Sequence, residues 1–198
     1  MHTVRSSDAH TRLDQLVPNI LRVGLDGLAI TDHNVLAQNV PQGFLIIPGI
    51  EISSRDGHII GLGLSEPVSR GLSADETISQ IKKQGGVSIV AHPYDLHRSA
   101  VSPEKLKVKP DAIEVVNSAS LFHSRTWKRA KEFTIRNNLP STAGSDSHIP
   151  QTIGMAYTVV ESEAKTIESV LDAIRRGSVS AEGSPYRIND RIRKLLWH

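Results

Sequence analysis

Leu28-Ala29-Ile30-Thr31-Asp32-His33 is an apolar run that stops abruptly at an acid and an imidazole. The pattern recurs along the chain. Leu45-Ile46-Ile47-Pro48-Gly49-Ile50 runs into Glu51, Val87-Ser88-Ile89-Val90-Ala91 into His92-Pro93, and Ser141-Thr142-Ala143-Gly144-Ser145 into Asp146-Ser147-His148. Imidazole and carboxylate are the ligands that borderline and hard divalent cations prefer, and both are costly to bury without a partner. Delivery of such groups from successive strand ends is how a β/α barrel assembles a site at one rim. One Asp-His pair would carry little weight; four separate deliveries point to a multinuclear metal centre.

Outward from these runs, the chain reads as alternating strands and helices. Leu13, Leu16, Val17, Ile20 and Leu21 share a helical face that ends at Gly24, a C-cap, and Pro18 either kinks this helix or marks its start. Strands are expected over 27–30, 45–51 and 58–64, with Arg55-Asp56-Gly57 as a turn that makes the last two neighbours. Ser73-Ala74-Asp75-Glu76 is a capping box opening a helix that closes at Gln84-Gly85-Gly86. Further strands are expected at 87–91, 112–116, 141–144, 157–160 and 179–181, with helices at 126–137 and 166–176. Such alternation predicts parallel βαβ units. The segment 187–198 reads as a basic amphipathic helix packed on the outside. With no internal repeat or linker, residues 1–198 are expected to form a single domain.

Composition narrows the function classes. The 198 residues contain no cysteine, so neither a disulfide framework nor a thiolate metal site is possible. A formal charge of +2 is too slight to imply binding to nucleic acid through charge alone, and no aromatic stripe suggests stacking along a long strand. No apolar stretch approaches the roughly 20 residues that span a bilayer. The opening residues lack the apolar core of a secretion signal, so a cytoplasmic protein without membrane contact is expected. The oligomeric state is not legible.

The ordered set His2-Thr3…Ser7-Asp8, Thr31-Asp32-His33, Gly49-Ile50-Glu51, Gly57-His58-Ile59-Ile60-Gly61, Ala91-His92-Pro93, Glu114-Val115-Val116-Asn117 and Gly144-Ser145-Asp146-Ser147-His148 resembles the PHP family, named for polymerase and histidinol phosphatase. The resemblance runs from His2 to about Thr158. It implies an α/β fold, a distorted (β/α)7 TIM-like barrel, with two or three divalent ions at the strand C-terminal rim and hydrolysis of phosphoesters. It also implies how the ligands divide. His2, Glu51 and Asp146 would hold a first ion; Glu51 would bridge to a second held by His58 and His92; Asp8, His33 and His148 would hold a third. Glu51, Asp146 and His148 would surround the activated water. The family opens with His-x-His, whose first histidine would fall one place before Met1. Either the natural protein begins upstream or one ligand is missing.

Other residues are weighed individually. Asp32 fits a carboxylate that orients a metal-bound imidazole better than a ligand. Arg98, six residues past His92, suits a non-bridging phosphate oxygen. His123 and Arg125 are candidates to touch substrate, whereas His10, His97 and His198 read as solvated. With nitrogen and oxygen ligands only, zinc, manganese or iron are the expected ions. The expected substrate is a small phosphorylated metabolite, a nucleotide or a short oligonucleotide. Two alternatives are a metal-binding module that has lost turnover and a metal hydrolase acting on a non-phosphate bond.

Overall fold

A computed structural model describes residues 1–38 and 40–196; His198, read above as solvated, lies outside them. Six strands, β1 (Gly27–Ile30), β2 (Leu45–Ser53), β3 (His58–Leu62), β4 (Val87–Val90), β5 (Ala112–Asn117) and β6 (Ser141–Gly144), pair in chain order in one sheet. β7 (Ala156–Val160) and β8 (Val179–Gly183) form a separate antiparallel ribbon. The helices are α1 (Leu16–Val23), α2 (Ala74–Lys83), α3 (His123–Asn137), α4 (Ile167–Arg176) and α5 (Ile188–Leu196).

Local signals explain most of these elements. Pro18 lies in the first turn of α1, where its missing N–H would have no intrahelical partner, and a short 3₁₀ turn at Leu13–Gln15 precedes it. Gly24 closes the helix in the left-handed region at φ 71°. The Ser73–Glu76 capping box forms as read, and Thr166 caps α4 by accepting from the Ser169 N–H. α3 starts three residues earlier than expected, at His123, with no side-chain cap to announce it.

The sheet departs from an all-parallel expectation. β1–β2, β4–β5 and β5–β6 are parallel, but β2–β3 and β3–β4 are antiparallel. The four residues 54–57 between β2 and β3 cannot make a crossover, so a hairpin is the available geometry. Nor does a closed seven-fold barrel form. Among the described residues the sheet is a curled half-barrel of six strands. Between β6 and β7 a side chain replaces the backbone ladder: the Thr158 hydroxyl accepts from the Ala143 N–H (2.9 Å) and donates to the Ala143 carbonyl (3.0 Å).

Packing follows strand alternation. Ile50, Ile52, Ile59, Val90 and Ile113 turn toward α2 and α3, meeting Ile78, Ile81 and Phe133. Ile47, Leu62 and Ile89 turn the other way, where Val170, Leu171 and Ile174 of α4 cover one end of the curl. Leu16 and Ile20 of α1 pack on Ile30 and Ile46. Inside the curl a cavity of about 560 Å³ runs from His2, Glu51, His92 and Asp146 past Ile60 and Thr142 to the gap between β1 and β7.

Thr158→Val keeps the shape of the side chain but strands the Ala143 amide. The variant should unfold about 1–2 kcal/mol more easily, read as a lower denaturant midpoint. An unchanged midpoint would show that packing alone holds the ribbon to the sheet.

Candidate metal centre

The fold brings all eight proposed ligands to one rim. His33 follows β1, His92 follows β4, and Asp146 and His148 follow β6. His58 opens β3, and Glu51 lies inside β2 opposite Ile60. The loop carrying His2 and Asp8 lies across the same rim, with the His2 N–H donating to the Ser147 carbonyl (2.8 Å) and the His10 N–H to the His148 carbonyl (2.7 Å).

Glu51 is the hub. Its Oε2 lies 3.1 Å from His2 Nε2, and its Oε1 lies 2.6 Å from His58 Nδ1 and 3.2 Å from His92 Nε2. His2 Nε2 is also 3.1 Å from Asp146 Oδ1. Asp8 Oδ2 lies 3.0 Å from His148 Nε2 and 3.9 Å from His33 Nε2. The rings of His2 and His148 stand 4.3 Å apart, and those of His2 and His33 4.4 Å. Three sets, His2–His33–His148, His33–Glu51–His58 and His2–Glu51–Asp146, each place one atom per residue within 4.8 Å of the others.

This donor set fits divalent cations on its own chemistry. His58 Nδ1, His148 Nε2 and Asp146 Oδ1 are buried and make no aligned hydrogen bond, although each lies near an oppositely charged group. Lone pairs converging on shared space without hydrogen-bond alignment suit an ion better than one another. Charge balance agrees. Burial alone would raise the Glu51 carboxyl, but the contacts to His2, His58 and His92 outweigh it and hold it well below the ordinary carboxylate range. Burial would lower His2, yet its bonds to Asp146 and Glu51 push it up to about 9. Asp146 is likewise held low against its burial, chiefly by the Arg98 guanidinium, which contacts its Oδ2. His2, His92 and Arg98, each held toward its charged form by the neighbouring carboxylates, supply compensating charge.

The backbone is strained where these groups are displayed. His92 (φ 30°) and Asp146 (φ 49°) both sit in the left-handed region, a costly place for non-glycine residues. The Tyr186 hydroxyl donates to the Asp146 carbonyl (2.9 Å), and His148 Nδ1 lies 2.8 Å from that oxygen, so the bend at Asp146 is pinned from two sides.

Several expectations change in detail. Asp32 does not meet His33 through its carboxylate; it accepts from the Thr3 N–H, the Thr3 hydroxyl (2.7 Å) and the Ser6 hydroxyl (3.1 Å). Ser6 in turn accepts from the His33 N–H (2.8 Å) and lies 3.3 Å from His2 Nδ1. Asp32 thus orients His2 through Ser6. His123 and Arg125 open α3, where His123 leans on Trp127 with ring centroids 5.3 Å apart; among the described residues no contact ties either to the cluster. His97 is exposed, but its ring rests against Phe122.

Some residues of the rim had no role assigned from the sequence. Glu114 is buried, accepts from the His92 N–H (2.8 Å) and from Asn117 Nδ2 (2.9 Å), and is pushed up to about 7, chiefly by burial. A carboxylate inside the apolar run Ala112–Val116 was the available signal. Lys194 of α5 is half-buried; burial lowers it, while Asp146, Asp8 and Glu51 pull it back up. Nothing in the local sequence marks it, and α5 is therefore more than an outer covering.

Known proteins resemble this chain in sequence and in fold. A family model described as PHP-associated matches residues 125–179. The probable phosphatase YcdX of Shigella flexneri is 30% identical over 196 residues, an alignment that covers 78% of this chain and 79% of the relative. An uncharacterized protein of Methanocaldococcus jannaschii is 39% identical over 111 residues, covering 50% of this chain; the chain spans 65% of that relative's length. In fold, the chain is similar to a two-domain protein containing a predicted PHP-like metal-dependent phosphoesterase from Bacteroides vulgatus (TM-score 0.71, 21% identity, 93% of this chain and 63% of that one). It is also similar to the lesion-specific endonuclease EndoQ of Pyrococcus furiosus (TM-score 0.67, 15% identity, 100% of this chain and 64% of that one). The ordered motifs, their meeting at one rim and the similarity to YcdX over most of both chains together place this chain in the PHP family.

Proposed function

We propose that this chain is a metal-dependent phosphoesterase that hydrolyses a small phosphorylated substrate through a water activated at the rim. The observation that carries the reading is Glu51, whose two oxygens face His2 on one side and His58 and His92 on the other. When bound, two or three divalent ions would lower the pKa of a shared water toward neutrality and offset charge on the phosphoryl oxygens. Zinc, manganese or iron suits the nitrogen and oxygen donors.

The residues then divide as follows. His2, Glu51 and Asp146 form one ligand set, His58 and His92 join Glu51 in a second, and Asp8, His33 and His148 form a third. Arg98 supplies a guanidinium for a non-bridging phosphate oxygen. Glu114 fixes the His92 backbone and Asn117, and so positions the second and first sets. The nucleophile is water, so no side chain becomes phosphorylated. With manganese added, the protein should release phosphate from a generic phosphoester at neutral to alkaline pH, and a chelator should abolish this reversibly. A trapped phospho-enzyme would refute the mechanism.

Metal content gives a test independent of turnover. By elemental analysis, His33→Ala and His148→Ala should each lose about one ion while the fold persists, and Glu51→Ala should lose more because it serves two sets. If Glu51→Ala retains as much metal as the parent, the bridging role fails.

The pH dependence follows from His2. Its proton, held up to about 9 in the metal-free protein, must leave before Nε2 can bind a cation. Metal affinity should therefore climb as pH rises from 6.5 toward 9, with proton release on binding. Calorimetry in buffers of different ionisation enthalpy would detect that proton; binding without proton release at pH 7 would exclude His2 as a ligand.

A further inference from the structure

Beside the cluster, the rim carries a patch that the chemistry above leaves unused. Leu96 is 93% exposed, Phe122 60% and Leu121 53%. Isolated exposed apolar side chains are ordinary on a protein surface. These are not isolated. The His97 and Phe122 rings meet with centroids 5.2 Å apart and planes tilted by 37°, which joins the loop after β4 to the loop after β5 in one surface.

Both loops are anchored in the metal cluster. Arg98, next in sequence to His97, contacts Asp146. Asn117, five residues before Phe122, donates to Asp146 Oδ2 (3.2 Å). The second loop is also held from behind, where the Arg191 guanidinium donates to the carbonyls of Ala119 (3.1 Å) and Ser120 (2.9 Å). The same helix brings Lys194 within the field of Asp146, Asp8 and Glu51. This side of the rim thus combines the shelf of the Phe122–His97 ring pair with two cations, Arg98 and Lys194, a few residues in sequence from groups that would hold the metals.

The shelf discriminates among phosphorylated ligands. A bare sugar phosphate has no flat apolar face to cover it, whereas a nucleobase does, and stacking on an aromatic side chain is tolerant of base identity. The two cations answer the charge of a phosphate monoester. We propose that the site takes a nucleoside monophosphate, with the base on the Phe122–His97 shelf and the phosphate toward Arg98 and the metal ligands. This rests on the phosphoesterase reading. In hydrolysis the water oxygen bonds to phosphorus and the ester P–O bond breaks. Its electrons remain on the nucleoside oxygen, which takes up a proton, giving nucleoside and inorganic phosphate.

The test compares adenosine 5′-monophosphate with ribose 5-phosphate on the manganese-supplemented protein. The parent should show a KM about tenfold lower for the nucleotide, from the stacked base. Phe122→Ala should erase that difference by raising the nucleotide KM with kcat nearly kept, leave ribose 5-phosphate unchanged, and be rescued by Phe122→Trp. Because Phe122 is exposed, its removal should not unfold the protein, which circular dichroism would verify. Equal KM values in the parent, or a Phe122→Ala effect on both substrates alike, would overturn the shelf. If neither substrate is hydrolysed, the phosphoesterase reading fails, and equilibrium dialysis decides the shelf separately. Tighter binding of the nucleotide that Phe122→Ala abolishes would uphold it, and equal binding of the two ligands would overturn it.

Discussion

A buried carboxylate surrounded by imidazoles is the constraint on which the rest of this structure depends. Glu51 is 3% exposed and stands in the middle of a strand whose neighbours are isoleucines. An isolated charge there would be strongly unfavourable. Its cost is offset by His2, His58 and His92, which arrive from the opening loop, the adjacent antiparallel strand and the end of β4. Satisfying one residue therefore fixes the relative placement of three segments far apart in sequence. The hairpin register that sets Ser53 against His58 is the local expression of that requirement.

Much of this was legible in the sequence because the signals were local. Apolar runs ending in His33, Glu51, His92 and Asp146 marked both the strands and the side chains that gather at the rim, and capping residues marked the start of α2 and the end of α1. Closure was not legible, since whether β6 meets β7 through backbone or through the Thr158 hydroxyl is decided by tertiary packing. The antiparallel pairing of β3 with β4 is equally non-local: α2 lies between them, a connection that usually accompanies parallel strands. Lys194 and Tyr186 escaped notice for the same reason. Each belongs to the segment after β8, and only the folded path of that segment carries them over the rim.

Rim and scaffold divide the work differently here than in a closed barrel. The inner curl is covered at one end by Val170 and Ile174 of α4, and hydrogen bonds brace the loops of the rim at the other. Loops with little regular structure, such as residues 3–8 and 92–99, are held by side-chain anchors: Asp32 for the first, Asp146 with Arg98 for the second. Thr3 and Ser6, ordinary polar loop residues in sequence, are thus structural members of the site through Asp32, and their substitution would disturb it without removing a proposed ligand.

The Arg98–Asp146 contact also has a consequence for how the sheet is tied together. Arg98 lies in the loop after β4 and Asp146 in the loop after β6, so the pair reaches across β5 and joins residues 48 apart in sequence. Asn117, the last residue of β5, donates to the same carboxylate (3.2 Å), so three successive strand ends meet at one side chain. A change at Asp146 would therefore loosen the mutual alignment of these strand ends as well as alter the site.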